Sequence, residues 1–231
     1  GFAATGGRRF APGGNKTIVF LHGAGMDRTV WSCQAHHFAS RGLAVLALDF
    51  PGHGRSAGKP LPTIAALADW TIRALEALRL ANAVIVGHSM GARVAIEVAA
   101  RLGGRAGGLA LVGIAERLVV NPELRPAAEA GEYRAVDMIL KWGFGERGPG
   151  GASRQNQEPG AEIAAESLGL GAYAPGGGGH VSAPSPKRHA RRLLERSLGS
   201  ALGTDLAACD DDPGAAWSAA RVTCPVVVIA G

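Results

Sequence analysis

A chain of 231 residues can bury a full core as one domain, or two at most, and 47% hydrophobic residues mark it as globular rather than disordered. A formal net charge of +5 is common among ordinary soluble enzymes and gives no reason to expect a nucleic-acid partner. Cys33, Cys209 and Cys224 are odd in number and lack metal-ligand spacing, which argues against a disulfide framework or a zinc site and for reduced thiols in a cytoplasmic protein. No stretch has the pattern of a signal peptide. The most apolar long window, Ala81 to Leu102, holds His88, Arg93, Glu97 and Arg101, so no membrane span is expected.

Along the chain, Ile18 to Leu21 and Leu43 to Leu48 are short apolar runs that read as buried strands. Between them, Met26 to Gly42 places Val30, Trp31, Cys33 and Phe38 at roughly helical spacing and stops at a glycine. The pattern repeats with a helix over Ile64 to Leu80 capped by Thr63, a strand over Ala83 to Val86, a helix over Met90 to Leu102 and a strand over Leu109 to Ile114. Such alternation predicts a parallel α/β sheet with flanking helices.

From Ala115 to Asp212 the alternation ceases, and Gly143 to Pro186 is crowded with Gly, Pro and Ser. This part reads as an insert with a mobile glycine tract and one short basic helix, Lys187 to Leu198. A helix over Asp211 to Val222 and a strand over Cys224 to Gly231 resume the pattern. The division expected is core in residues 1–114, insert in 115–212 and return to the core in 213–231.

One motif carries chemistry. Gly87, His88, Ser89, Met90 and Gly91 fit G-x-S-x-G, entered by an apolar strand and left by an amphipathic helix, the context in which such a serine is a nucleophile on a sharp turn. Phe20 to Gly25, "FLHGAG", is a second strand end opening into a loop of small residues. A tetrahedral intermediate needs two N–H donors. Met90, after the serine, supplies one, and Ala24 is expected to supply the other. His22 and His88 read as packing or turn residues rather than bases. "DFPGHGRSAG", Asp49 to Gly58, is a tight loop.

Together "IVFLHGAGMDRTVW", "LALDFPGHGRSAG" and "VGHSMGARVAIEVA" resemble the α/β-hydrolase family, in its esterase, peroxidase-like and aminopeptidase-like branch. The likeness covers Thr17 to Ile114, fails through the glycine-rich part, and resumes at "LERSLGSALGTDLAACDD" and "VTCPVVVIAG". It implies a mostly parallel α/β-hydrolase sheet with a cap inserted over the serine, and a small-molecule acyl substrate. Ester, amide or similar acyl bonds are to be cleaved through an acyl-enzyme on Ser89, without metal or organic cofactor. Cofactor-free peroxidase-like chemistry or acyl transfer is to use the same serine. Gly23, Gly25, His88, Trp31 and His53 are the expected substrate neighbours, although for Trp31 a core position and for His53 a backbone-bonded loop position compete.

The family order Ser, Asp or Glu, His places the acid just beyond "VVVIAG" and the histidine after one more strand. The expectation is therefore a fragment that lacks the C-terminal strands and helix with the triad acid and base, and turns over poorly. An exposed, sticky sheet edge at "PVVVI" is expected with it. A substitute triad of Asp137 with His180 or His189 also preserves the order. Asp205 reads as a helix cap or a residue that fixes the insert. The rival class is a non-catalytic binding domain, and the sequence sets no oligomeric state.

Overall fold

The computed structural model describes residues 1–10, 17–144 and 185–230. His180 and most of the glycine-rich tract lie outside these residues, and the mobility expected of that tract with them.

Six described strands form one sheet: β1 (Phe2–Ala4), β2 (Thr17–Leu21), β3 (Ala44–Asp49), β4 (Ala83–His88), β5 (Ala106–Val112) and β6 (Val226–Ile229). Their spatial order is β1-β3-β2-β4-β5-β6, parallel throughout except for β1, which runs antiparallel to β3 with Phe2 opposite Asp49. Helices cover both faces, which is why β2 is apolar at consecutive positions. Val19 and Leu21 meet α2 (Ile64–Ala77) and α3 (Met90–Leu102), whereas Ile18 and Phe20 meet Trp31 and α1 (Ser32–Ser40). The alternation of strand side chains thus assigns one apolar run to two cores.

The strands and helices of residues 17–112 follow the predicted order, and Thr63 Oγ1 caps α2 by accepting from the Ala66 amide at 3.1 Å. The differences have local causes. The helix expected over Met26 to Gly42 splits into a 3₁₀ turn, Arg28–Trp31, and α1, because Asp27 caps the first turn through the Thr29 amide. Strand β5 starts at Ala106 rather than Leu109: a Cβ on Gly107 would stand 2.1 Å from Asn82 O, so this glycine permits strand contact rather than marking a loop. β1 carries no pattern of its own and was not foreseen.

Between β5 and β6 the insert contains α4 (Leu124–Glu129), α5 (Tyr133–Phe144), α6 (Pro186–Ser197) and α7 (Ala201–Asp210). They bury a core of their own, with Leu140, Leu194, Leu202 and Val136 almost inaccessible, against which Ala24 and Met26 of the loop after β2 pack. The helix expected over Asp211 to Val222 shrinks to α8 (Ala216–Ala219), since Gly214 sits at φ +112° and Asp212 is engaged elsewhere. β6 forms an edge of the described sheet, with Val226, Val227 and Val228 exposed. No described helix is long and apolar enough to cross a membrane.

The helical layer is bound back to the core by charge. Arg93 of α3 is buried and bonds Asp212 through Nε at 2.8 Å and Nη2 at 3.1 Å, with Nη2 also donating to Gly214 O at 2.9 Å. A guanidinium at this depth is tolerated because its partners replace water, and removing it strands the carboxylate. Arg93→Met is therefore expected to cost about 3–5 kcal/mol in urea unfolding. A loss below about 1 kcal/mol, the level of an exposed pair, would show that this contact does not hold the layers together.

Candidate active site

The strand order reverses at β2, from which the chain crosses to β3 on one side and later to β4 on the other. Open α/β sheets form their crevice at such a point, beyond the carboxyl ends of the strands. Here those ends are His22, Gly23 and Ala24 after β2, and Ser89 after β4.

Ser89 stands at φ +52° and ψ −119°, a conformation that costs a side-chain-bearing residue on the order of 1–3 kcal/mol. Surrounding contacts enforce it. The Ser89 amide donates to Val112 O at 2.9 Å, and Ser89 O accepts from the Ala92 amide at 2.9 Å as α3 begins. A Cβ on Gly87 would stand 2.2 Å from Gly91 O, and one on Gly91 2.4 Å from Leu21 O, so both glycines are required by close approach. Among the described residues, Ser89 Oγ has no hydrogen-bond partner, and the amides of Ala24 and Met90 have no acceptor.

Ser89 opens into a cleft of about 700 Å³ with Gly23, Ala24 and His88 on its floor. Leu140 and Phe144 of α5, Leu194 of α6 and Leu206 of α7 form its opposite wall. The volume lies within the range of about 300–1,000 Å³ usual for small-molecule sites. His88 is kept below its ordinary pKa by burial and is neutral near pH 7. The wall contributed by α5 was not foreseen: its amphipathic spacing is legible, but which layer its apolar face would meet is not.

Ala24 lies in a turn closed by Met26 N–H donating to Gly23 O at 3.2 Å. His22 braces the start of that turn. The Phe50 amide donates to its Nε2 at 3.2 Å, so the proton is on Nδ1, which donates to Gly23 O at 2.9 Å. Burial first, then the neighbouring His53, lowers its pKa to about 4.

Of the expected substrate neighbours, Gly23 and His88 line the Ser89 cleft, and Gly25, Trp31 and His53 do not. Gly25 is at φ +65°, where a Cβ would stand 2.7 Å from Leu202 and 2.8 Å from Ser197. Trp31 is buried on Phe20, with ring centroids 4.9 Å apart, and lines an adjoining cavity of about 480 Å³. His53 is buried, with Nδ1 3.0 Å from Pro51 O and Nε2 2.8 Å from Asp205 Oδ2, which adds an ion pair to the backbone bond expected of it. The described members of the substitute triad part company: His189 Nε2 meets Thr29 Oγ1 at 2.9 Å, while Asp137 bonds Arg191 at 2.6 Å. Asp205 does fix the insert, as expected, but through contacts with core loops 152 and 180 residues earlier in the chain, a pairing no local signal announces.

The sequence profile described as "Alpha/beta hydrolase family" matches residues 18–231. The non-heme chloroperoxidase of Burkholderia pyrrocinia is 36% identical over 124 residues, 51% of this chain and 44% of that protein. The (E)-2-((N-methylformamido)methylene)succinate hydrolase of Acinetobacter baylyi is 33% identical over 90 residues, 38% of this chain and 34% of that protein. The chain spans less than half the length of the curated relatives it matches. Among solved structures, the enol-lactonase from Burkholderia xenovorans LB400 superposes with a TM-score of 0.64 at 22% identity, covering 95% of this chain and 74% of that one, a likeness of fold.

Two measurements probe this geometry. Gly91→Ala is expected to destabilise the protein by about 1–3 kcal/mol, since its methyl group meets the Leu21 and His22 carbonyls; a melting temperature equal to the parent's would show a looser turn. For His22, the unfolded chain takes up a proton near 6.5 and the folded one only near 4, so stability contributed by the neutral ring falls as pH drops through that window. The loss at pH 4 is about 3 kcal/mol, read from denaturation curves across pH, and a His22 resonance titrating near 6.5 by NMR would refute it.

Proposed function

The chain belongs to the α/β-hydrolase family, and from that premise we propose that it cleaves an ester, lactone or similar acyl bond through an acyl-enzyme on Ser89. The observation that carries this reading is the Ser89 backbone, held at φ +52° between a strand and a helix, with its hydroxyl unbonded among the described residues and opening into a largely apolar cleft. A serine that only capped α3 would bond an amide of the first turn, and none is bonded here.

In this reading Ser89 Oγ attacks the acyl carbon as it gives up its proton, which leaves with the departing alcohol, and the carbonyl oxygen takes up negative charge in the tetrahedral intermediate. The Ala24 and Met90 amides, each without another acceptor among the described residues, donate to that oxygen, and each such donor contributes about 3–4 kcal/mol. Collapse expels the alcohol, leaving the acyl group on Ser89 for water to release. Helices α4 to α7 act as a cap whose leucines and Phe144 favour an apolar acyl or alcohol portion over a charged one. Cytoplasmic action on small molecules belongs to the same proposal.

A second acceptor has support from the chloroperoxidase relative. With hydrogen peroxide in place of water, the same acyl-enzyme releases a peracid and regenerates the Ser89 hydroxyl.

A fluorophosphonate probe is expected to label the protein at Ser89, and Ser89→Ala to lose all labelling. Labelling that survives the substitution overturns the assignment. If neither protein is labelled, and ligands bind the cleft without turnover, the non-catalytic class is correct. Peracid formation from a short carboxylic ester and peroxide, lost in the same variant, distinguishes the second acceptor.

A further inference from the structure

The residue next to Ala24 does not line the cleft, and its amide is taken by a side chain of the helical layer. Gly25 N–H donates to Asp205 Oδ2 at 2.8 Å, and the same oxygen lies 2.8 Å from His53 Nε2. The three residues come from the loop after β2, the loop after β3 and helix α7. The two ionisable side chains are only 1% and 0% exposed, and among the described residues Asp205 Oδ1 has no partner, so the described hydrogen bonds of this carboxylate fall on Oδ2. Leu202, also on α7, lies 2.7 Å from where a Cβ on Gly25 would be.

A carboxylate this deep is kept only if its charge is met. His53 meets it. Its Nδ1 faces Pro51 O and its Nε2 faces Asp205, both acceptors, so both nitrogens carry protons and the ring is an imidazolium. Burial works against that charge, but the hydrogen bond and charge of Asp205 outweigh it and leave the His53 pKa raised. The other titratable or charged groups around the ring are His22, which is neutral, and Asp27 beyond β2, Asp49 at the end of β3, and Arg28, Arg55 and Arg196 around the polar cavity that His53 lines. Arg28 is taken up by Asp49 at 2.6 Å.

We propose that Asp205 is a positioning residue: by clamping the Gly25 amide through a carboxylate paired with His53, it aims the neighbouring Ala24 amide and ties that aim to the seating of α7. The proposal rests on reading Ala24 as an oxyanion donor. Its consequence is that the helical layer and the oxyanion loop are one mechanical unit. When His53 gives up its proton, one ring nitrogen turns a lone pair toward Pro51 O or toward Asp205, and one of its contacts becomes repulsive. Because the folded pKa lies above the ordinary 6.5, the clamp is complete below that value and weakens as pH rises through the raised one.

The test compares the parent protein with Asp205→Asn, which keeps the shape without the charge, and with His53→Gln, each first shown to be folded by its melting curve. Amide hydrogen exchange at Gly25 is followed with pH, together with the rate of fluorophosphonate labelling at Ser89 and the His53 titration by NMR. In the parent, Gly25 protection and labelling rate are expected to fall together as His53 titrates. In both variants that pH step vanishes, and in Asp205→Asn labelling slows at least about tenfold, short of the 10²–10³ that follows removal of a donor itself. A purely structural Asp205 would change the melting curve but not the rate or pH profile of the folded fraction. Gly25 exchange and labelling equal to the parent's in folded Asp205→Asn overturn the proposal. If the parent is not labelled at all, the reading of Ser89 fails on its own, and exchange still decides the clamp: a Gly25 protection step at the His53 titration supports it, and its absence overturns it.

Discussion

The turn after β4 passes so close to the end of β2 that there is no room for a side-chain atom between them. A Cβ on Gly91 would fall inside contact distance of two carbonyl oxygens, Leu21 O and His22 O, and one on Gly87 would meet Gly91 O. This single close approach directs much of what surrounds it. It holds Ser89 at positive φ and starts α3 at Met90. It also brings the loop after β2, with Ala24, to the mouth of the cleft that Ser89 opens into. Strain at Ser89 persists because strand pairing on both sides of β4 determines where the turn must go.

Around that point the molecule uses buried charge to join two apolar bodies. The sheet with α1 to α3 has its cores, and the helices between β5 and β6 have another. Apolar contact alone would allow the second body to slide over the first, since burial is non-directional. The carboxylates of Asp205 and Asp212 remove that freedom: each lies near the end of the helical layer and each takes a cationic partner, His53 or Arg93, from the core. Such pairs add little net stability compared with an apolar filling, but they fix register.

Histidine chemistry divides in the same small volume. His22 and His53 stand with ring centroids 4.9 Å apart, yet their neighbours drive them to opposite protonation states. His22 has one donor and one acceptor around it and stays neutral; His53 has two acceptors and stays charged. Two charged rings at that distance would repel, so the lowered pKa of one and the raised pKa of the other support each other.

By itself the sequence determined the alternation of strands and helices, the α/β-hydrolase resemblance, the Ser89 turn and the loop that carries Ala24, because each rests on neighbours in the chain: apolar period, glycine spacing and a helix start. Local pattern also marked Thr63 as a cap and "PVVVI" as a strand with little polar cover. What only the tertiary structure decided is which distant groups meet. Gly107 lies against Asn82 O in a strand that starts three residues earlier than the apolar run suggests, and α5, a helix the sequence analysis does not predict, closes the cleft. For His53 and Trp31 the sequence left a substrate position and a packing or loop position open, and the structure pairs His53 with a carboxylate 152 residues away and sets Trp31 against Phe20. Periodicity records that a side chain will be buried; the identity of the atom that satisfies it depends on chain crossings, which no local pattern encodes.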